Sequence, residues 1–119
     1  SPIIDDEKNK QIEYLKKFMI EKEPYLDSSL TIQDLAEQVK MPVKDLSALI
    51  NLYMNKHFFD FINEYRIEKA KEILKDSSQK DITILEILYQ VGFNSKSSFS
   101  TSFKKYTGKT PTDFRKNPN

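Results

Sequence analysis

A short run of lysine, serine and threonine residues near the C-terminus carries side chains that can donate hydrogen bonds to nucleic acid. Phe99 and Phe103 stand four residues apart, the spacing of neighbours on one helix face, so we expect both rings to be buried. Lysine can donate to guanine or phosphate, and hydroxyls can donate to either. The residues left on the exposed face are Lys96, Ser97, Ser100 and Thr101. The alternative interpretation of this run is a solvated helix face.

Residue types that support catalysis or metal binding are scarce in this chain. It has no cysteine, and His57 is its only histidine, so thiolate chemistry is excluded and no metal-ligand cluster can be built around that side chain. A glycine-rich phosphate loop, a recognisable serine-histidine pair and paired carboxylates at inward helical positions are also absent from the sequence. We therefore predict that the protein is not an enzyme and needs no cofactor or metal.

One apolar pattern occurs twice in the chain. Ile32, Leu35 and Val39 are repeated at an offset of 52 residues as Ile84, Ile87 and Val91. A second set is repeated at an offset of 53, with Leu46, Ile50, Tyr53, Asp60 and Phe61 corresponding to Phe99, Phe103, Tyr106, Asp113 and Phe114. The spacing within each copy is helical, and the extra residue falls in the turn between two helices. The sequence therefore predicts two helix-turn-helix units.

Three helices are predicted in the first half of the chain. Residues 1–10 are polar and are predicted to form a linker, followed by a helix that ends before Pro24. Thr31 resembles the start of a capping box for a second helix, and a third helix starts at Pro42 and stops near Asn55. The side chains predicted to be buried in the first and third helices are Ile12, Leu15, Phe18, Met19, Leu46, Leu49, Ile50 and Tyr53.

The second half is predicted to begin with a long helix from His57 to about Asp76 that joins the two units. Thr83 caps a fifth helix, Gly92 supplies the positive φ of the turn, and a sixth helix spans about Ser95 to Tyr106. A short last helix starts at Pro111, so the predicted fold class is all-α. The phenylalanines predicted to be core residues are Phe58, Phe59, Phe61, Phe93, Phe99, Phe103 and Phe114.

The charge of the chain is unevenly distributed. The formal net charge is only +1, but residues 1–60 carry 8 Lys/Arg against 11 Asp/Glu, whereas residues 61–119 carry 11 against 7. The C-terminal unit is therefore the basic one. No apolar run approaches the roughly 18 residues that span a bilayer, and the Ser-Pro start suggests a piece of a longer protein.

Three segments resemble a known family. Residues 92–115, GFNSKSSFSTSFKKYTGKTPTDFR, resemble the C-terminal signature of AraC/XylS-type transcription regulators. Residues 30–61 resemble the upstream unit of the same family, and residues 65–74, YRIEKAKEIL, are similar to its linker helix. The resemblance covers roughly residues 30 to 116 and implies the DNA-binding domain of a bacterial regulator, whose two units insert their second helices into successive major-groove segments.

The resemblance also implies which residues contact DNA bases. The positions in the first unit that match the exposed run of the second are Lys44, Ser47 and Ala48. Many family members carry arginine where this chain has Ala48 and Thr101, so strong bidentate base readers are missing at both positions and specificity is expected to be modest. Lys40 and Asn55 stand where the other unit has Gly92 and Gly108, and both are expected to be mildly strained.

Backbone phosphates are expected to be contacted by a basic set and by amides at helix N-termini. The basic set is Lys104, Lys105, Lys109, Arg115 and Lys116, and the N-termini are those at Thr31, Pro42, Thr83 and Pro111. Arg66 is expected to be structural instead, pairing with an acidic residue.

The predicted domains are 1–26, linker and N-terminal helix; 27–56, first helix-turn-helix unit; 57–76, linker helix; and 77–119, second unit. The predicted partners are double-stranded DNA and RNA polymerase, in the bacterial cytoplasm, with no membrane contact by this chain, although membrane anchoring of the full protein stays open. A competing hypothesis is a helical interaction module that dimerises or docks through the N-terminal helix and has little DNA affinity. RNA binding is a weaker third alternative, because exposed aromatic platforms are not predicted.

Overall fold

The computed structural model describes residues 2–118, with side chains from Asp6 onward, and this part of the chain is helical without a strand. The helices are α1 (Pro2–Lys22), α2 (Ile32–Val39), α3 (Val43–Ala48), α4 (Phe58–Lys75), α5 (Ile84–Gln90), α6 (Lys96–Thr107) and α7 (Pro111–Lys116). A π-helical turn, Leu49–Tyr53, continues α3, and short 3-10 turns lie at Pro24–Leu26 and Ser77–Gln79. The predicted all-α fold class is confirmed.

The helices form two compact units. The first contains the chain up to Pro24 together with Ser29–Phe61, and the second contains Tyr25–Ser28 together with the chain from Ile62 onward. Helix α4 starts in the first unit and continues into the second. Each unit therefore contains one helix pair of the repeated pattern, α2 with α3 and α5 with α6.

The predicted polar linker over residues 1–10 is wrong, because α1 already begins at Pro2. Proline is tolerated in the first turn of a helix, where its missing N–H has no intrahelical partner. Asp6 and Lys10 form an i, i+4 ion pair at 3.3 Å, and the Lys8 ammonium donates to Gln11 at 3.3 Å. These contacts stabilise the part of α1 that precedes its buried residues Leu15 and Met19. Its end at Lys22, before Pro24, is as predicted.

Local capping defines the helix pair of the first unit. The Thr31 hydroxyl accepts from the Asp34 amide at 3.1 Å, and the Asp34 carboxylate accepts from the Thr31 amide at 3.0 Å, which completes the predicted capping box. Lys40 ends α2 in the left-handed region at φ 59°, and Asn55 follows the π turn at φ 56°. The buried residues of this unit include Leu15, Met19, Leu35, Val39, Leu46, Leu49 and Ile50.

Two aromatic residues of the first unit are not core residues as predicted. Tyr53 is 46% exposed, because the π turn widens the helix over Leu49–Tyr53 and moves its last residue off the buried face. Phe59 is 63% exposed, since it is two residues from the buried Phe61 and therefore lies on the opposite side of α4.

A chain of aromatic rings fills the second unit. Phe93, Phe99, Phe103 and Phe114 lie in sequence, with successive ring centroids 5.3, 5.6 and 5.4 Å apart. They pack with Ile67, Ala70 and Leu74 of α4 and with Ile87, Leu88 and Val91 around α5. This core holds α6 and α7 against α4 and α5.

The turn between α5 and α6 requires glycine. Gly92 has φ 103°, and a Cβ at this position would lie 2.7 Å from Arg66 Nε and would overlap the Tyr25 carbonyl oxygen. Phe93 is buried directly after it, as predicted. Thr83, Ser95 and Thr110 cap α5, α6 and α7, each accepting from the backbone amide three residues on, and Gly108 ends α6 at φ 77°.

Arg66 has the structural role predicted for it. Its side chain is buried, with Nε donating to the Tyr25 carbonyl at 2.7 Å, Nη2 to the Asp27 carbonyl at 3.0 Å and Nη1 to the Asn63 amide oxygen at 3.2 Å. Burial lowers the pKa of Arg66, and the charge of Asp27 opposes that shift. The guanidinium thus binds the segment after α1 mainly through backbone carbonyls, with Asp27 supplying the acidic charge.

Candidate nucleic-acid interface

Helix α6 presents one buried and one exposed face. Phe99 and Phe103 are fully buried in the second unit. The four side chains predicted to contact bases are all exposed, namely Lys96, Ser97, Ser100 and Thr101. Their spacing places Ser97, Ser100 and Thr101 on one side of the helix, with Lys96 at its first residue. The structure therefore brings the four predicted residues of this helix together on an accessible surface.

The N-terminus of α6 is also the most favourable one for an anion among helices α2, α3, α5, α6 and α7. Helices α2, α3, α5 and α7 each carry an acidic residue in the first turn, Asp34, Asp45, Glu86 and Asp113, whereas α6 carries none. Ser95 caps α6 with a neutral hydroxyl, which accepts from the Ser98 amide at 3.1 Å. The positive end of the helix dipole is therefore not neutralised at this end of α6.

Helix α3 carries the corresponding surface of the first unit. Lys44 is exposed, and Ser47 and Ala48 are half-buried. The Ser47 hydroxyl accepts a hydrogen bond from Asn51 Nδ2 at 3.1 Å, one helical turn further along. The predicted residues of this unit are again on one face, and Asn51 extends that face.

The exposed residues of α3 and its π turn that are missing from the sequence-based set include Val43, which is 38% exposed, and Asn51. At the offset of 53 they correspond to Lys96 and Lys104 of the second unit. The repeat therefore contained the signal that identifies them.

The residues predicted to contact phosphates do not all have free side chains. Lys104, Lys105 and Lys116 are exposed, and Lys105 Nζ lies 5.4 Å from the centroid of the Tyr106 ring. Lys109 is half-buried, and its ammonium donates to the Asn117 carbonyl at 2.6 Å. Arg115 is half-buried too, with Nε and Nη2 enclosed and without a hydrogen-bond partner among the described residues.

The predicted helix N-termini are partly occupied by their own caps. At Thr31 both the hydroxyl and the amide are engaged by Asp34, and at Thr83 the hydroxyl accepts from the Glu86 amide at 3.0 Å. Pro42 precedes α3 without a side-chain cap, and Pro111 starts α7 behind the Thr110 cap. The carboxylates of Asp34 and Glu86 also lower the attraction of the α2 and α5 N-termini for phosphate.

Among the described residues, histidine, aspartate and glutamate do not cluster in a group that could hold a metal ion. None of the helices within residues 2–118 is both long and apolar enough to span a bilayer.

Comparisons with known proteins give matches over most of the chain. A family model described as a helix-turn-helix domain matches residues 35–117. The melibiose operon regulatory protein of Escherichia coli K12 is 34% identical over 90 residues, which are 76% of this chain and 29% of that protein. An uncharacterized HTH-type transcriptional regulator of Staphylococcus aureus is 32% identical over 111 residues, 93% of this chain and 14% of that protein. The chain thus spans less than a third of these relatives.

Solved structures are similar over nearly the whole chain. The C-terminal domain of the two-component response regulator yesN from Fusobacterium nucleatum has a TM-score of 0.71 at 31% identity, covering 89% of this chain and 98% of that one. The C-terminal domain of AraT, a response regulator from Geobacillus stearothermophilus, has a TM-score of 0.68 at 30% identity, covering 98% and 85%.

Proposed function

Since the chain belongs to the AraC-type family of helix-turn-helix transcription regulators, we propose that it binds double-stranded DNA with sequence selectivity and inserts α3 and α6 into successive major-groove segments. The observation that carries this proposal is the exposed run of α6. Ser97, Ser100 and Thr101 lie away from two fully buried phenylalanines, and the exposed Lys96 stands at the first residue of the helix.

Base contacts in the second unit are assigned to Lys96, Ser97, Ser100 and Thr101. Lysine donates to the O6 and N7 acceptors of guanine, and the hydroxyls exchange hydrogen bonds with several bases. In the first unit, Lys44 and Ser47 supply polar contacts, while the Ala48 methyl group fits the methyl group of thymine. Without an arginine among these positions, discrimination at each base pair is smaller than for a bidentate reader.

Phosphate contacts are assigned first to the exposed lysines, Lys104, Lys105 and Lys116, which lie on the basic unit. Lys109 is engaged by the Asn117 carbonyl and Arg115 is partly enclosed, so both contribute mainly through their charge. The N-termini of α2 and α5, at Thr31 and Thr83, are assigned only weaker phosphate contacts, because the Thr31 amide is engaged by Asp34 and both first turns carry an acidic residue. Each phosphate neutralised makes the affinity fall more steeply with salt.

Selection of random duplex DNA, followed by sequencing, tests the proposal. We expect a motif of two half-sites about one helical turn apart, roughly 34 Å. The double variant Lys96→Ala, Ser100→Ala should lose this enrichment. The control Lys17→Ala, Ser77→Ala removes the same charge and the same hydroxyl at exposed positions of α1 and the loop after α4, and should keep it. Equal enrichment by both variants would contradict the proposed use of α6.

A second candidate function is association through α1, and exposed apolar side chains on that helix favour it. Tyr14 is 48% exposed and Ile20 is 66% exposed. Apolar self-association is nearly indifferent to salt, whereas phosphate binding weakens steeply as salt rises, so titration at two salt concentrations separates the two functions.

A regulator of this kind acts on the bacterial chromosome in the cytoplasm, with RNA polymerase as its downstream partner.

A further inference from the structure

We propose that Asn51, oriented by Ser47, reads an adenine in the DNA segment bound by the first unit, an inference that rests on the proposed DNA binding. Asn51 follows the regular helix α3 and lies in the π-helical turn that continues it. Its side chain is exposed and its Nδ2 group donates to the Ser47 hydroxyl at 3.1 Å.

The position of Asn51 continues the candidate DNA-binding face. Lys44, Ser47, Ala48 and Asn51 follow one another at intervals of three, one and three residues. Such residues line one face of a helix. The hydrogen bond between Ser47 and Asn51 shows that Asn51 stays on this face within the π turn. Leu49 and Ile50 of the same turn are buried in the core.

The donor and acceptor of the Asn51 amide match the major-groove edge of one base. Adenine presents an acceptor, N7, beside a donor, N6, in the major groove, and an asparagine amide pairs with both. Nδ2 has two hydrogens, of which one is used by Ser47, so the second hydrogen and the Oδ1 acceptor are left to face a base. Holding the amide in place before binding also reduces the conformational entropy lost when it pairs.

The two units differ at this position. The counterpart of Asn51 at the offset of 53 is Lys104, which has three donors and no acceptor. Lysine cannot accept the N6 hydrogen of adenine, so this preference is confined to the half-site of the first unit. Selectivity for adenine in only one half-site would distinguish this contact from nonspecific phosphate binding, which does not discriminate between bases.

The test measures binding to the duplex selected by the wild-type chain and to a copy in which the adenine is replaced by purine, which lacks the N6 amino group. We expect the wild-type chain to lose about 5- to 100-fold in affinity on this replacement. Asn51→Ala, which removes the Oδ1 acceptor, should bind both duplexes alike. Ser47→Ala should reduce the preference for adenine while retaining part of it, because the amide is still present but less well oriented.

Asn9→Ala is the matched control, since it removes an exposed asparagine from α1 of the same unit. It should keep the full preference, and circular dichroism should show the same helix content in all variants. Selective DNA binding in which no position depends on Asn51 would overturn the inference and leave the proposed function standing. Absence of selective binding by the wild-type chain would overturn both.

Discussion

Arg66 Nε donates to the backbone carbonyl of Tyr25 at 2.7 Å, which joins α4 to the segment after α1 across 41 positions of sequence. The same guanidinium lies 5.7 Å from the centroid of the Phe93 ring, in the turn between α5 and α6. One buried arginine thus joins three parts of the second unit. Its N–H groups donate to the backbone carbonyls of Tyr25 and Asp27, which have few alternative donors when water is excluded.

Replacing Arg66 by methionine should lower the free energy of unfolding by about 2–4 kcal/mol, because it leaves the buried carbonyl of Tyr25 and the part-buried carbonyl of Asp27 without their donors. Urea denaturation followed by circular dichroism measures this. Lys71→Met is the control, since Lys71 pairs with Glu68 on the same helix near the surface and should change stability by less than about 0.5 kcal/mol. Equal effects of the two substitutions would contradict the structural role of Arg66.

The two glycines should respond differently to alanine. At Gly92 a Cβ overlaps the Tyr25 carbonyl and φ is 103°, so Gly92→Ala should cost about 3 kcal/mol or more and unfold much of the second unit. At Gly108 no atom lies within 4 Å of the added Cβ, and only the left-handed backbone is unfavourable, so Gly108→Ala should cost about 1–2 kcal/mol. Thermal unfolding of both variants measures the difference, and a larger loss at Gly108 would refute this account of the turn.

Glycine should stabilise the chain where the first unit lacks it. Lys40 and Asn55 adopt φ values of 59° and 56°, and left-handed backbone costs an L-residue roughly 1–2 kcal/mol, less for asparagine. Part of this gain is offset by the greater entropy of glycine in the unfolded chain. We therefore expect Lys40→Gly to raise stability by about 0.5–1 kcal/mol and Asn55→Gly by less, as measured by urea denaturation. A loss of stability at position 40 would show that the lysine side chain contributes contacts of its own.

Local features were predictable from the sequence, and features that depend on tertiary contacts were not. The caps at Thr31 and Thr83 and the turn at Gly92 follow from residue types within a few positions, and the structure confirms them. The π turn after α3 leaves no local signature, so the exposure of Tyr53 was not predictable.

The candidate site shows the same division. The exposed face of α6 follows from helical spacing, whereas the engagement of Lys109 by the Asn117 carbonyl depends on how α6 and α7 pack. The hydrogen bond from Asn51 to Ser47 is local in sequence. That Asn51 belongs to the candidate DNA-binding face follows only when the offset of 53 residues is extended to pair it with Lys104. The contacts of each predicted residue with DNA stay predictions.

The cap of α6 allows folding and DNA affinity to be separated. Ser95 accepts from the Ser98 amide at 3.1 Å, and aspartate and asparagine cap helices as well as serine does. Ser95→Asp and Ser95→Asn should therefore keep the wild-type stability to within about 0.5 kcal/mol, whereas Ser95→Ala should lose about 1 kcal/mol. Thermal unfolding measures this part of the prediction.

Ser95→Asp and Ser95→Asn differ by one negative charge at an N-terminus that carries no acidic residue in its first turn. If this end of α6 approaches the DNA backbone, Ser95→Asp should weaken binding by about five- to tenfold relative to Ser95→Asn, the effect of one repulsive contact near 4 Å in a solvent-exposed setting. The difference should shrink as salt is raised, because exposed charges are screened. Equal dissociation constants for the aspartate and asparagine variants at low salt would place the N-terminus of α6 away from the phosphates.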